Sequence, residues 1–303
     1  MENNPKNNPD EAILGKVAVV TDSVAQVPEE MKRGLGITSI PFSVIVEGKS
    51  YQDEVDIKAN ELYRRMRTDS IVPKTSQPSS GEFLDTFRQR FESGAKSILY
   101  LSMSSKLSGA YNTALETLPI LKKEYPDRNI EVYDTRSATI AQGFMAIEVA
   151  KAAMHGLSLE QLVSYTKEVE SRVGFIASLD TLKYLARGGR IGKLAYMMGE
   201  IIHVKPVVTI GEDGVVMPIS RVRGETKAHE TMVNWVRDRV EGKKGLQLAV
   251  MEGDVPHEAE ELGDLAVQLL KPEWIIITPM TPVIGVHAGH GVIGLAYYFE
   301  ESK

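Results

Sequence analysis

Short apolar runs that stop abruptly on hydroxyl or carboxylate side chains set the strongest limit on how this chain can fold. Val17-Ala18-Val19-Val20 ends at Thr21-Asp22-Ser23, and Ile98-Leu99-Tyr100-Leu101 ends at Ser102-Met103-Ser104-Ser105. A strand without polar alternation is buried on both faces, which is the condition of a parallel sheet covered by helices. Ile130-Glu131-Val132-Tyr133-Asp134 supplies a further strand, and helical patterns separate these runs, ending in a long helix over about 137–154. Strands alternating with helices in this way predict a three-layer domain. In such a sheet ligands collect beyond the carboxyl ends of the strands, where the polar groups lie.

The second half has a different pattern. Runs over 204–209 and 215–220 flank Gly211-Glu212-Asp213-Gly214, a hairpin turn, so antiparallel pairing is expected there. Helices over 227–240 and 256–270 alternate with strands over 246–251 and 274–278, and strands over 283–287 and 292–299 close the chain. The expected fold class is α/β in two domains. An N-terminal three-layer parallel-sheet domain covers residues 16–172, and a C-terminal α/β domain with a mixed, partly antiparallel sheet covers 173–303. A chain of 303 residues has room for two cores, and without repeats or a low-complexity linker the domains are expected to abut. Residues 1–15, rich in Asn, Pro and charge, read as a flexible tail. Within the first domain a helix over 28–35 and a single strand over 37–46 are expected, followed by a helix capped by Asp56 and carrying Leu62, Tyr63 and Met66.

An apolar share of 43% and a charged share of 25% are those of a globular protein, and a formal charge of −6 argues against a broad nucleic-acid surface. The absence of cysteine excludes disulfides and thiolate chemistry. With no run of ~20 apolar residues and no leader pattern, the chain is expected to be cytoplasmic and not membrane-spanning, touching a membrane at most transiently.

Two loops concentrate hydroxyls at helix mouths. In Val72-Pro73-Lys74-Thr75-Ser76-Gln77-Pro78-Ser79 the prolines enforce an extended loop, and Ser79 with Glu82 forms a capping box for a helix carrying Phe83, Leu84, Phe87 and Phe91. Thr75 and Ser76 therefore hang where unpaired N–H groups favour an anion. Ser108 occupies the expected N-cap after the second buried run. Two readings fit these residues, an anion seat or ordinary turn and cap chemistry, and the same pair of readings applies to Asp22 and Ser23.

Other motifs carry less. Gly289-His290-Gly291-Val292-Ile293-Gly294 matches a dinucleotide fingerprint, but the nine residues after it leave no room for the rest of that fold. Gly188-Gly189-Arg190-Ile191-Gly192-Lys193 lacks the first Gly and the final Ser or Thr of a phosphate loop. His287 and His290 have no third convergent ligand in their motif, so no metal is expected. Arg187, Arg190 and Lys193 form a cationic loop, and Arg221 and Arg223 a second, read either as solvated charge or as a docking surface for an anionic partner.

Five segments in register resemble one family. They are Thr21-Asp22-Ser23, Thr75-Ser76-Gln77-Pro78, the stretch Ser105-Lys106-Leu107-Ser108-Gly109-Ala110-Tyr111, Arg187-Gly188-Gly189-Arg190-Ile191, and Thr281-Pro282-Val283-Ile284-Gly285-Val286-His287-Ala288-Gly289. From about Lys16 to Phe299 the chain resembles the DegV family of bacterial fatty-acid-binding proteins. Ala110 departs from a usual Thr, and His290 from a small or amide residue. The resemblance implies one long-chain fatty acid, such as palmitate, buried in a tunnel between the two domains. Its carboxylate would be presented to a separate fatty acid kinase that makes the acyl phosphate. Carried over residue by residue, it assigns the fatty-acid site to Thr75, Ser108, Gly109 and His287. The cationic loops, through Arg187, Arg190 and Arg223, are expected to serve the kinase, leaving a seat without permanent counter-charge. The chain would be a carrier, not catalytic on its own, with no cofactor beyond the bound lipid and no metal. No nucleophile with an adjacent base and no paired carboxylates stand out in the sequence, which agrees with that reading. The alternative is a phosphotransferase-type enzyme in which His287 or Asp22 acts on a small phosphorylated substrate.

Overall fold

A computed structural model describes residues 16–69, 71–197 and 204–301; the expected tail and most of the apolar run over 197–202 lie outside the described residues. The first half runs β1 (Val17–Asp22), α1 (Glu29–Leu35), β2 (Thr38–Ile40), β3 (Ser43–Val46), β4 (Lys49–Gln52), α2 (Ala59–Thr68), β5 (Lys74–Ser76), α3 (Ser80–Glu92), β6 (Ser97–Ser102), α4 (Ala110–Glu124), β7 (Asn129–Asp134), α5 (Thr139–Met154) and α6 (Leu159–Glu170). The second half runs β8 (Val173–Ser178), α7 (Lys183–Arg187), β9 (Val204–Ile210), β10 (Val216–Arg223), α8 (Glu225–Val240), β11 (Lys244–Glu252), α9 (Pro256–Leu270), β12 (Trp274–Pro279), α10 (Pro282–Ala288) and β13 (Ile293–Glu300).

The first sheet is parallel, in the order β2-β1-β6-β7. Period-two alternation splits its residues between two cores. Ala18, Val20, Ile98, Tyr100 and Val132 pack against α3 and α4, with Phe83 and Phe87 edge-on or tilted to the Tyr100 ring. Val17, Val19, Leu99 and Leu101 face α5 and α6. The three-layer arrangement follows from that division; the capping box expected at Ser79 is formed, and Ser158 with Gln161 forms a second at the start of α6.

The second sheet is mixed, in the order β10-β9-β8-β13-β11-β12, with β11 and β12 its parallel pair. Ile176, Val207, Leu248, Val250 and Leu295 lie under α8 and α9, while Ala177, Val208, Ala249, Met251 and Ala296 point the other way, onto α5. Helix α5 is therefore a wedge between the sheets. Its Ile140, Ala141, Phe144 and Met145 join the second sheet's core, and Ala146, Ile147, Val149 and Ala150 join the first sheet's. A helix apolar all round is a buried helix, and this sequence requires that placement. Ser104 Oγ donating to Gly214 O at 2.7 Å adds a polar tie between the halves.

Four expectations are corrected. The single strand over 37–46 is broken at Pro41, which has no N–H to continue a ladder, so β2 stays in the parallel sheet while β3 leaves it. The loop before Ser79 contains a strand, since β5 pairs antiparallel with β3 and completes a three-stranded sheet, β4-β3-β5. Asp56 does not cap α2; its carboxylate accepts from Gln52 N at 2.9 Å, and Lys58 is the N-cap. The expected strand over 283–287 is the helix α10, started by Thr281 as N-cap and Pro282 at the first position. Helical spacing sends Val283 and Val286 into the first sheet's core and leaves Ile284, His287 and Ala288 facing a cavity.

Gly143 shows how tightly α5 is held, because a Cβ there would lie 2.2 Å from the Ala25 carbonyl oxygen. Alanine gains roughly 1 kcal/mol of helix propensity. Overpacking against backbone costs toward the upper end of ~1–3 kcal/mol. Gly143→Ala should therefore destabilise the protein by about 1–2 kcal/mol. Urea unfolding measures this, and an unchanged or raised midpoint would show that the wedge is looser than described.

Candidate functional site

A cavity of about 520 Å³ lies between the two sheets, beyond the carboxyl end of β6. Its apolar wall comes from both halves, including Met103 and Ala138 on one side and Leu179, Leu185, Val208 and Val216 on the other. One end is polar. Thr75, Ser76 and Gln77 of the segment around β5, Ser108, His287 of α10 and Arg190 converge there. Thr139 lines the same space with φ of 61°, a left-handed conformation that is an outlier for a β-branched residue and is held by the buried turn into α5.

Pairing with β3 aims Thr75 at α10, and Thr75 Oγ1 lies 2.8 Å from His287 Nε2. Burial pushes the His287 imidazole down to about 4, and the neighbouring Arg190 charge adds to that effect, so the ring is neutral at physiological pH. A neutral imidazole has one N–H. If Nε2 carries it, the ring donates to Thr75 and leaves the threonine proton for another acceptor. Nδ1 is packed against Gly188, where a Cβ would come within 2.2 Å of it.

The other hydroxyl sits differently from expectation. Gly109, and not Ser108, is the N-cap of α4, and Ser108 Oγ accepts from Ala110 N at 3.2 Å. Among the described residues no acceptor takes the Ser108 proton, so it too is free for a ligand. Gly109 N donates to Gln77 Oε1 at 3.0 Å, and Gln77 Nε2 donates to Thr113 Oγ1 at 2.9 Å. The Gln77 amide therefore staples the two hydroxyl loops. A Cβ on Gly109 would lie 2.7 Å from that amide, which explains glycine there. Reading the sequence for hydroxyls missed Gln77, although it stands inside the same motif.

The cationic residues separate. Arg190 Nε donates to Leu107 O at 3.0 Å, a second guanidinium nitrogen donates to Gly188 O, and the side chain is half-buried in the cavity wall. It is a wall of the cavity and not free loop charge, so the polar end contains a permanent cation. Arg187 and Arg223 are exposed and do not line the cavity. His290 packs edge-on to Tyr184 with ring centroids 5.9 Å apart and also lies off the wall. Among the described residues no three His, Cys, Asp or Glu side chains converge on a metal position, and no helix is long and apolar enough to cross a membrane.

Two buried carboxyls stand behind this end. Asp22 accepts from Met103 N at 2.9 Å and Gln142 Nε2 at 3.1 Å, and burial raises its pKa to about 6 against those bonds. Asp53 accepts from Ser23 Oγ at 2.6 Å and Val283 N at 3.0 Å. Burial raises it to about 7, with the charges of Glu54 and Asp22 adding. Each is 1% exposed, so neither reaches a substrate. Both hold their protons to higher pH in the folded chain than in the unfolded one, where aspartate titrates near 3.8. Their contribution to stability is full below that value and is lost as pH rises through about 6 and 7. Denaturant titrations from pH 5 to 8 should show a stability slope against pH that is more negative in wild type than in Asp53→Asn, the opposite contribution of the lowered His287 being common to both. Equal slopes would remove Asp53 as a cause.

The family model described as "Uncharacterised protein, DegV family" matches residues 16–300. A DegV domain-containing protein of Caldanaerobacter subterraneus is 34% identical over 294 residues, covering 95% of this chain and 100% of that one. A Thermus thermophilus structure described as showing fatty acid binding of a DegV family protein superposes with a TM-score of 0.85 at 29% identity, covering 94% of this chain and 99% of its own. A stearic acid-binding protein from Eubacterium ventriosum superposes with a TM-score of 0.84 at 27% identity, covering 93% and 98%. With a cavity at the sheet junction, a polar end built from the motif residues and a match along almost its whole length, this chain belongs to the DegV family.

Proposed function

We propose that this protein is a cytoplasmic fatty-acid carrier that buries one long-chain fatty acid between residues 16–172 and 173–303. Its carboxylate lies at Thr75, Ser108 and His287, beside Gly109, whose N–H is held by Gln77, ready for a separate fatty acid kinase. The observation that carries the reading is a cavity with an apolar wall drawn from both halves and Thr75, Ser108, Arg190 and His287 gathered on it. Fatty acids bound by structural neighbours support it. About fifteen methylenes at ~0.8 kcal/mol each give on the order of 12 kcal/mol of gross transfer energy, from which ordering costs are subtracted. A buried carboxylate must be hydrogen-bonded. The uncommitted proton of Ser108 suits that need, as does that of Thr75 when His287 carries its proton on Nε2, and Arg190 supplies a nearby positive charge.

Within this reading Arg190 belongs to the lipid, while Arg187 and Arg223, both exposed, face the kinase. An exposed cation suits long-range steering of an anionic partner better than sealing a cavity. Enclosure of Asp22, which is 1% exposed, keeps that carboxyl from a small phosphorylated substrate and weighs against its part in the phosphotransferase alternative.

Solvent extraction and mass spectrometry of the purified protein should return close to one fatty acid per chain. Thr75→Ala and Ser108→Ala should each weaken fatty-acid binding about 10- to 100-fold, the equivalent of ~1.5–3 kcal/mol for a bond to a charged group. Folded variants that both bind with wild-type affinity would mean that the carboxylate is held elsewhere. With kinase and ATP added, Arg187→Glu should slow acyl-phosphate formation and alter its salt dependence while lipid stays bound. Acyl phosphate or a hydrolysis product formed by the isolated wild-type chain with ATP and Mg²⁺ would make it an enzyme and overturn the carrier reading.

A further inference from the structure

Asp53 lies directly after β4, is 1% exposed and does not line the cavity, yet it ties together three segments beside the polar end. Its Oδ2 accepts from Ser23 Oγ at 2.6 Å, at the end of β1, and the same Ser23 oxygen accepts from Phe42 N at 3.1 Å. Its backbone N donates to Phe42 O at 2.8 Å. Its Oδ1 accepts from Val283 N at 3.0 Å, in the first turn of α10. Phe42 and Val283 both line the cavity.

The bond to Val283 matters because of how α10 starts. Pro282 has no N–H, Ile284 N is taken by Thr281 Oγ1 at 3.5 Å and Gly285 N by Thr281 O at 2.9 Å. That leaves the Val283 N–H, on a residue only 3% exposed, dependent on Asp53. A carboxylate is the strongest side-chain acceptor for a buried helix-start N–H. One turn further on, the same short helix carries His287, whose Nε2 sits 2.8 Å from Thr75 Oγ1. Tyr63 abuts Gly285, where a Cβ would fall 2.7 Å from the ring. Helix α10 is thus pressed from one side by Tyr63 and held at its start by Asp53.

We infer that Asp53 is a positioning residue for the carboxylate seat, holding α10 so that His287 meets Thr75. This deepens the carrier reading and rests on it. Asp53 touches no ligand itself. Its effect is therefore specific to the end of the ligand that His287 and Thr75 read, and should be silent toward the apolar chain.

The test compares two probes, hexadecanoic acid and hexadecan-1-ol, titrated into wild type, Asp53→Ala, Asp53→Asn, His287→Ala and the Asp53→Ala/His287→Ala double variant. A small misplacement of a binding group costs about tenfold or more. Asp53→Ala should therefore bind the acid about 10- to 100-fold more weakly than wild type, and the alcohol within about threefold of wild type. Asp53→Asn, which keeps an acceptor for the Val283 N–H, should restore acid binding to within about threefold. In the His287→Ala background the Asp53→Ala change should cost little more, since the group it positions is already gone. If Asp53→Ala does not fold, Ser23→Ala, which frees the other carboxylate oxygen, should show the same preference for weakening the acid over the alcohol. Equal losses for acid and alcohol, or additive losses in the double variant, would reduce Asp53 to general packing and overturn the inference. Failure of wild type to bind either probe would instead sink the carrier reading beneath it.

Discussion

The packing of α5 between two sheets is the constraint on which the rest of this structure depends. Most helices of an α/β protein bury one face, but this one has no face to give to water, so both sheets must reach it. Ile140, Phe144 and Met145 take the second sheet, and Ile147, Val149 and Ala150 take the first. Glu148, the carboxylate in its buried stretch, is satisfied by Tyr298 Oη at 3.2 Å and Lys151 Nζ at 2.6 Å, one bond from each environment it meets. The helix fills the junction over most of its length, and near its start, at Ala138 and Thr139, the cavity opens. The ligand space is thus a consequence of where the wedge begins.

Electrostatics at the polar end follow from the same enclosure. Low dielectric keeps His287 uncharged and pushes Asp22 and Asp53 toward their protonated forms. Arg190, whose guanidinium stays protonated in any such setting, is then a permanent positive charge at this end of the cavity. An anion entering beside it forms a neutral pair, with hydroxyl protons to satisfy its remaining lone pairs. That is a less costly arrangement than an isolated buried carboxylate or an isolated buried guanidinium.

Much of the fold was legible because it rests on local rules. The runs at Val17 and Ile98 could only be buried strands, the turn at Gly211–Gly214 could only join antiparallel strands, and the Ser79 and Ser158 capping boxes fixed two helix starts. What was misread depends on longer-range context. The stretch Val283–His287 has β-branched residues that suit a strand, but Thr281-Pro282 is a helix start, and a seven-residue helix survives only because Val283, Val286 and Tyr63 bury it. Strand β5 was hidden because two prolines suggest a loop, while its pairing with β3 is a tertiary fact. At the site, hydroxyls could be found from helix-mouth logic, but Gln77 and Asp53 act across 32 and 230 residues of sequence, separations on which spacing is silent. The place of Arg190 in the cavity wall was hidden for a related reason, since a Gly-rich basic loop looks solvated until its guanidinium is seen on Leu107 O.

The geometry also constrains how a ligand and the fold can depend on each other. Leu179, Leu185, Val208 and Val216 belong to the second half of the chain, and Met103, Ser108 and Thr75 to the first, so no half alone encloses the cavity. On the carrier reading a fatty acid then binds only the conformation in which both sheets grip α5. A ligand that binds that state and not a separated one stabilises it by mass action, growing with the logarithm of ligand concentration over Kd. The polar end adds direction to this coupling. His287 is carried by a helix of the second half packed into the first sheet's core, and its partner Thr75 sits on a strand of the first half. A carboxylate bridging those groups would tighten the same contact that Asp53 already makes through Val283. Lipid occupancy, the seating of α10 and the closure of the two halves are in that sense a single equilibrium, and a partner that recognises the surface around Arg187 and Arg223 would meet a shape that depends on whether the cavity is filled.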